Sequence, residues 1–201
     1  MHGRINLEEN YYFWSGNHMS KIGQQSITVS PTVTVTIEDV NVTVKGKEGV
    51  VSFTLPSGIR CEKDATTNEY HVVRRNDTKE MKSLHGLWRS LIANAVKGVE
   101  KPWEKKLEVV GTGFNVKMQG EDLVFKVGYS HPVVFKKVDA IKFAVDGNTK
   151  ITISGVDKQL VGEIAHKIKM IKKPDAYKGK GIKYEGEKLR IKPGKKAKAA
   201  A

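Results

Sequence analysis

One short pattern occurs twice in this chain, and it limits the folds available more than any other feature. Val42-Thr43-Val44-Lys45 and Val50-Val51-Ser52-Phe53-Thr54-Leu55 flank a Gly-rich turn. Asn115-Val116-Lys117-Met118 and Leu123-Val124-Phe125-Lys126-Val127 do the same. Apolar and polar side chains alternate on both sides of each turn, which predicts a β-hairpin in each half, since successive strand residues face opposite sides. Further strand pairs follow: 59–62 with 70–74 around a polar turn at 66–69, and 141–145 with 150–153 around Asp146-Gly147-Asn148.

Each copy then ends in a segment of helical spacing. In the first, Asp77 is the expected N-cap with Glu80 three residues on. Leu84, Leu87, Trp88, Leu91, Ile92 and Ala95 form the apolar stripe, and Gly98 and Pro102 are expected to stop the helix. In the second, Asp157 caps the start and Leu160, Val161, Ile164, Ala165, Ile168 and Ile171 form the stripe, with Pro174 marking the end. Gly86 and Gly162 occupy equivalent places. A helical glycine costs about 1 kcal/mol against alanine, so close helix–sheet packing is the expected reason, with local flexibility as the rival. The pattern predicts an α+β fold of two duplicated domains, each an antiparallel β-sheet unit with one packed α-helix. The first domain is placed at 19–100 and the second at 101–174, followed by a basic loop and C-terminal tail at 175–201.

Charge separates the end of the chain from its body. The formal net charge is +13. Residues 167–201 hold twelve Lys and one Arg against one Asp and two Glu, a net of +10, so the rest is nearly neutral. A cationic block at one end is commonly an interaction tail for RNA, DNA or an anionic membrane surface. A tail that merely aids solubility has the same composition.

Other functional classes find little support. Cys61 is the only cysteine, which excludes an internal disulfide or a multi-cysteine zinc site. No apolar run approaches the roughly 18 residues of a transmembrane helix. Residues 1–18 carry Glu8 and Glu9 without a continuous apolar stretch, unlike a signal peptide. They read as a leader, an upstream start or a remnant of cloning. No two of the six histidines have the spacing of a zinc helix. His85, between Leu84 and Leu87, is expected to be a packed or RNA-facing side chain rather than a general base. Gly111-Thr112-Gly113 and Gly179-Lys180-Gly181 are too short for a dinucleotide loop, and there is no P-loop or nucleophile elbow. The expectation is no catalytic residue, no cofactor and no metal.

The basic residues carry more information. Lys167, Lys169, Lys172 and Lys173 lead into Pro174-Asp175-Ala176-Tyr177-Lys178-Gly179-Lys180-Gly181-Ile182. Glycines let backbone approach another surface closely, lysines neutralise phosphates, and a tyrosine face can lie on a base or sugar. A nucleic-acid contact loop and a solvated basic turn both fit these residues taken alone. The candidate RNA-binding residues are Lys172, Lys173, Tyr177, Lys178, Gly179, Lys180, Gly181 and Lys183, with Lys192, Lys195 and Lys196 as weaker tail candidates. The free tail is expected to be disordered beyond about Arg190 and to order on binding.

The nonapeptide resembles the signature of the large-subunit ribosomal protein L-six family. Leu84-His85-Gly86-Leu87, the stretch from Glu104 to Phe114, Gly128-Tyr129-Ser130-His131-Pro132-Val133 and Gly155-Val156-Asp157-Lys158-Gln159-Leu160-Val161-Gly162 follow the family in order and spacing. The resemblance runs from about Met19 to Lys198 and is nearest to the bacterial form. It implies a duplicated fold and a structural, non-enzymatic role in translation. It also implies binding to 23S rRNA near the base of the factor-binding stalk, with neighbouring large-subunit proteins as partners. A cytoplasmic, ribosome-associated location, no membrane partner and a monomer when free are the accompanying expectations. An RNA-modifying enzyme and a polybasic membrane-surface protein are the alternatives. The first lacks an acid–base set, and the second lacks an acylation site or an amphipathic apolar face.

Overall fold

A computed structural model describes residues 21–64 and 68–194. Strands β1 (Ile27–Thr28), β2 (Thr34–Glu38), β3 (Asn41–Lys45), β4 (Val50–Thr54), β5 (Ile59–Lys63) and β6 (Glu69–Arg74) lead into helix α1 (Lys79–Glu100). Strands β7 (Trp103–Val110), β8 (Asn115–Gln119), β9 (Asp122–Lys126), β10 (Val133–Phe135), β11 (Ile141–Asp146) and β12 (Lys150–Gly155) lead into α2 (Lys158–Ile171), and β13 (Gly181–Tyr184) follows.

The duplication is visible in strand order. The first half forms sheets β2-β3-β4 and β1-β6-β5, and the second forms β10-β9-β8 and β11-β12-β7-β13. In each half the strand entering the helix pairs with a neighbour on either side, β6 with β1 and β5, and β12 with β7 and β11. These ladders are antiparallel, and for the consecutive strands β5–β6 and β11–β12 the short connection between them requires it. This is the α+β architecture of two antiparallel sheet units, each with a helix. Among the described residues strand β13 has no counterpart in the first half.

The chain divides into two compact units. Their described residues are 21–43 with 52–64 and 68–93, and 44–51 with 94–194. The division passes through α1 and gives the turn of the β3–β4 hairpin to the second unit. In the first unit Ile27, Val42, Ile59, Cys61, Val72 and Ile92 are buried. In the second, Leu107, Val109, Val116, Leu123, Phe125, Ile151, Ile153 and Ile182 pack with Val161, Ile164, Ala165 and Ile168 of α2.

Several local expectations are corrected. The N-cap of α1 is Thr78, whose Oγ1 accepts from Met81 N at 3.3 Å, because Asp77 is taken by Arg74 at 2.7 Å. The helix runs through Gly98 to Glu100. There a Cβ would stand 2.1 Å from Val156 O, so this glycine permits close backbone approach rather than ending the helix. Leu87, expected in the stripe, is 51% exposed, whereas His85 is buried. The close packing expected at Gly162 is absent, since a Cβ there would meet nothing within 4 Å. Asp157 does cap α2, accepting from Gln159 N at 2.8 Å.

His85 belongs to the frame of the first unit. Its Nε2–H donates to Val72 O at 2.7 Å, and Nδ1 accepts from Arg74 Nη1 at 3.0 Å. Burial, with Arg74 adding to it, holds the imidazole below its ordinary pKa, and Val72 opposes this only in part. Arg89 on the same helix donates to the carbonyls of Gln25 and Ser26, which ties down the entering chain.

Candidate nucleic-acid interface

The basic segment after α2 is built into the sheet. The chain leaves the helix at Lys172 in an extended conformation. Lys172 O then accepts from Ile182 N at 2.8 Å. Residues 175–180 between them form a closed loop. Asp175 N donates to Lys180 O at 2.9 Å, Gly179 N to Asp175 O at 3.0 Å, and Lys178 N to the Asp175 carboxylate at 3.0 Å. An aspartate that caps its own turn and a glycine at φ +67 close such a loop without strain. Gly181 has φ +150, and a Cβ on it would lie 2.7 Å from Lys173 O and from Pro174. Only glycine fits where the two backbones come this close.

Strand β13 then lies along β7, with Ile182 opposite Val109 and fully buried. Two lysines, one in the segment and one in α2, are engaged by carboxylates of the protein itself. Lys183 faces Glu108 across the ladder, with Nζ 3.2 Å from Oε2. Lys169 of α2 pairs with Glu187 at 2.6 Å. Lys183 is therefore engaged by a carboxylate, whereas the sequence reading places it on RNA.

The other candidates are differently placed. Tyr177 is 60% exposed at the loop tip, and Lys178 is exposed beside it. Lys173 is exposed, Lys180 half-buried and Gly179 buried. Lys173, Lys178, Lys180, Lys188, Arg190 and Lys192 form no ion pair among the described residues. Lys172 lies 4.5 Å above the Tyr129 ring. Lys195 and Lys196 lie outside the described residues.

Residues 191–194 are described and run beside the loop, and the remainder of the tail expected to be disordered, 195–201, lies outside the described residues. Lys192 N donates to Ala176 O at 2.8 Å, and a Cβ on Gly179 would come within 3.5 Å of Leu189 and 3.7 Å of Ile191. This returning segment lies against the loop and contributes Lys192 to the same region.

Sequence reasoning passed over Tyr129 as a site residue. Its Oη donates to Ile171 O at 2.8 Å, completing an otherwise open carbonyl at the helix end, and its ring carries Lys172. The only signal was its place in Gly128-Tyr129-Ser130-His131-Pro132. Among the described residues no three metal-ligating side chains converge, and no helix is long and apolar enough to cross a membrane. The arrangement offers unpaired ammonium groups and an exposed phenol ring on a closed backbone loop. That chemistry suits phosphates and the flat faces of bases or sugars.

Comparison with known proteins agrees with the internal repeat. The family model for ribosomal protein L6 matches residues 31–101 and again 110–185. A large ribosomal subunit protein uL6 from Syntrophomonas wolfei subsp. wolfei is 48% identical over 177 residues, covering 88% of this chain and 98% of that protein. The uL6 protein of Staphylococcus saprophyticus is 44% identical over 180 residues, covering 90% of this chain and all of the relative.

Proposed function

Because this chain belongs to the ribosomal protein L6 family, we propose that it is a structural, non-enzymatic component of the large ribosomal subunit that binds 23S rRNA. Its site is near the base of the factor-binding stalk, beside neighbouring large-subunit proteins. The supporting observation is the closed loop 175–180. It holds Lys178, Lys180 and Tyr177 on hydrogen-bonded backbone, with Lys173 and Lys192 alongside and, among the described residues, no carboxylate paired to these cations.

Lysines on such a loop bind phosphates as point charges and release counterions, which gives affinity and position but little sequence information. Fit comes from the loop's shape, set by Gly179 and Gly181, and from Tyr177 lying on a base or sugar. Lys172 and Lys173 support the loop from the helix end, and Lys195 and Lys196 extend the cationic tail. Lys183 acts within the strand, through Glu108. Alone, the protein is a monomer.

The test is affinity for large-subunit rRNA against salt, with small-subunit rRNA as control. Replacing Lys178 and Lys180 by Gln should weaken binding and flatten the salt slope by about 0.7–0.9 for each lost phosphate contact. An unchanged slope moves the interface off this loop. Equal affinity for both RNAs sinks the specific placement.

A further inference from the structure

Glu187 stands inside a segment whose net charge favours a polyanion. Its two carboxylate oxygens accept from Lys169 Nζ at 2.6 and 2.8 Å, and Oε2 also accepts from Tyr184 N at 3.0 Å. Lys169 lies 4.6 Å from the centroid of the Tyr184 ring. Glu187 N donates back to Tyr184 O at 3.1 Å. One carboxylate thus joins α2, the end of β13 and the turn after it. Both partners are mostly shielded, with side chains 19% and 29% exposed.

The chain beyond that turn runs back over the loop. Leu189 and Ile191 approach Gly179, and Lys192 N bonds to Ala176 O.

We propose that Glu187 is a positioning residue for rRNA binding: through Lys169 and Tyr184 it turns the tail back onto loop 175–180, so that loop and tail meet RNA as one ordered piece. This rests on the rRNA-binding reading. Its consequence runs against charge. Removing a carboxylate from a protein that binds a polyanion should tighten binding if attraction alone mattered. Loss of this fastening instead leaves loop and tail side chains to be ordered during binding, which costs affinity.

The experiment compares Glu187→Gln with Glu185→Gln in the full chain. Glu185 is an exposed acid whose contact with Lys150 is a loose 3.9 Å, so its replacement makes the same charge change without touching the fastening. Ile191→Ser, at a position 54% exposed, loosens the tail without altering charge or the sheet. rRNA affinity and amide exchange at Lys192 are measured for each. Glu187→Gln and Ile191→Ser should each weaken binding roughly threefold to tenfold, the cost of ordering one or two long side chains. Both should also speed exchange at Lys192, and Glu185→Gln should bind at least as tightly as the parent. Tighter binding by Glu187→Gln, or an unchanged Ile191→Ser, overturns the proposal. Failure of the parent chain to prefer large-subunit rRNA overturns the functional reading instead.

Discussion

At the residue scale, the His85 ring donates from Nε2 to a carbonyl and accepts at Nδ1 from a guanidinium. An added proton has no acceptor among the described residues and faces Arg74. The folded-state pKa is lowered by burial, so the unfolded chain takes up the proton first. Stability is full above the unfolded value, near 6.5, and is lost as pH falls below it toward the folded value. Chemical denaturation between about pH 7 and pH 5 should show this decline, and His85→Gln should flatten it. Cys61 gives a second prediction at this scale. Burial, with Glu62 adding to it, pushes its thiol up to about 11. A thiol reagent at neutral pH should label it only as fast as the first unit opens, since thiolate is the reactive form.

At the element scale, the helical glycines at 98 and 162 have opposite consequences. Gly162 faces open space, so Gly162→Ala should stabilise the protein by about 0.5–1 kcal/mol through helix propensity alone. Gly98→Ala would drive a Cβ against a backbone oxygen and the Trp103 ring, and should cost about 1–3 kcal/mol. Thermal unfolding of the two variants reads the sign directly. Their sequence contexts are alike, two apolar helices with a glycine inside, which explains how Gly98 could be taken for a terminator and Gly162 for a packing site. What differs is the backbone lying opposite, and periodicity carries no record of that. The same holds at the start of α1, where Asp77 and Thr78 are both good caps until Arg74 claims one of them.

At the scale of the whole molecule, the candidate interface and the core share β13. Cutting the chain after Lys173 would remove Ile182 from the core and uncover the edge of β7. Burial of that one side chain contributes about 1.5–3 kcal/mol, so the shortened protein should unfold at a distinctly lower denaturant concentration. Cutting after Lys192 should leave stability unchanged. A drop in RNA affinity after the longer cut would therefore mix lost contacts with lost structure, and single charge replacements are the cleaner probe.

The sequence by itself determined the hairpins, both helices, their repetition and the concentration of positive charge at one end of the chain. Alternation, helical spacing and net charge are local or additive properties that survive without knowledge of the fold. Placing β13 on β7 was left to the tertiary structure, because strand addition depends on which edge is open and near. So was the withdrawal of Lys169 and Lys183 into ion pairs, since the carboxylates of Glu187 and Glu108 come within reach only when that strand is in place. Counting lysines cannot separate those that hold the protein together from those left to meet a phosphate, because a charge is free or paired according to what stands a few ångströms away.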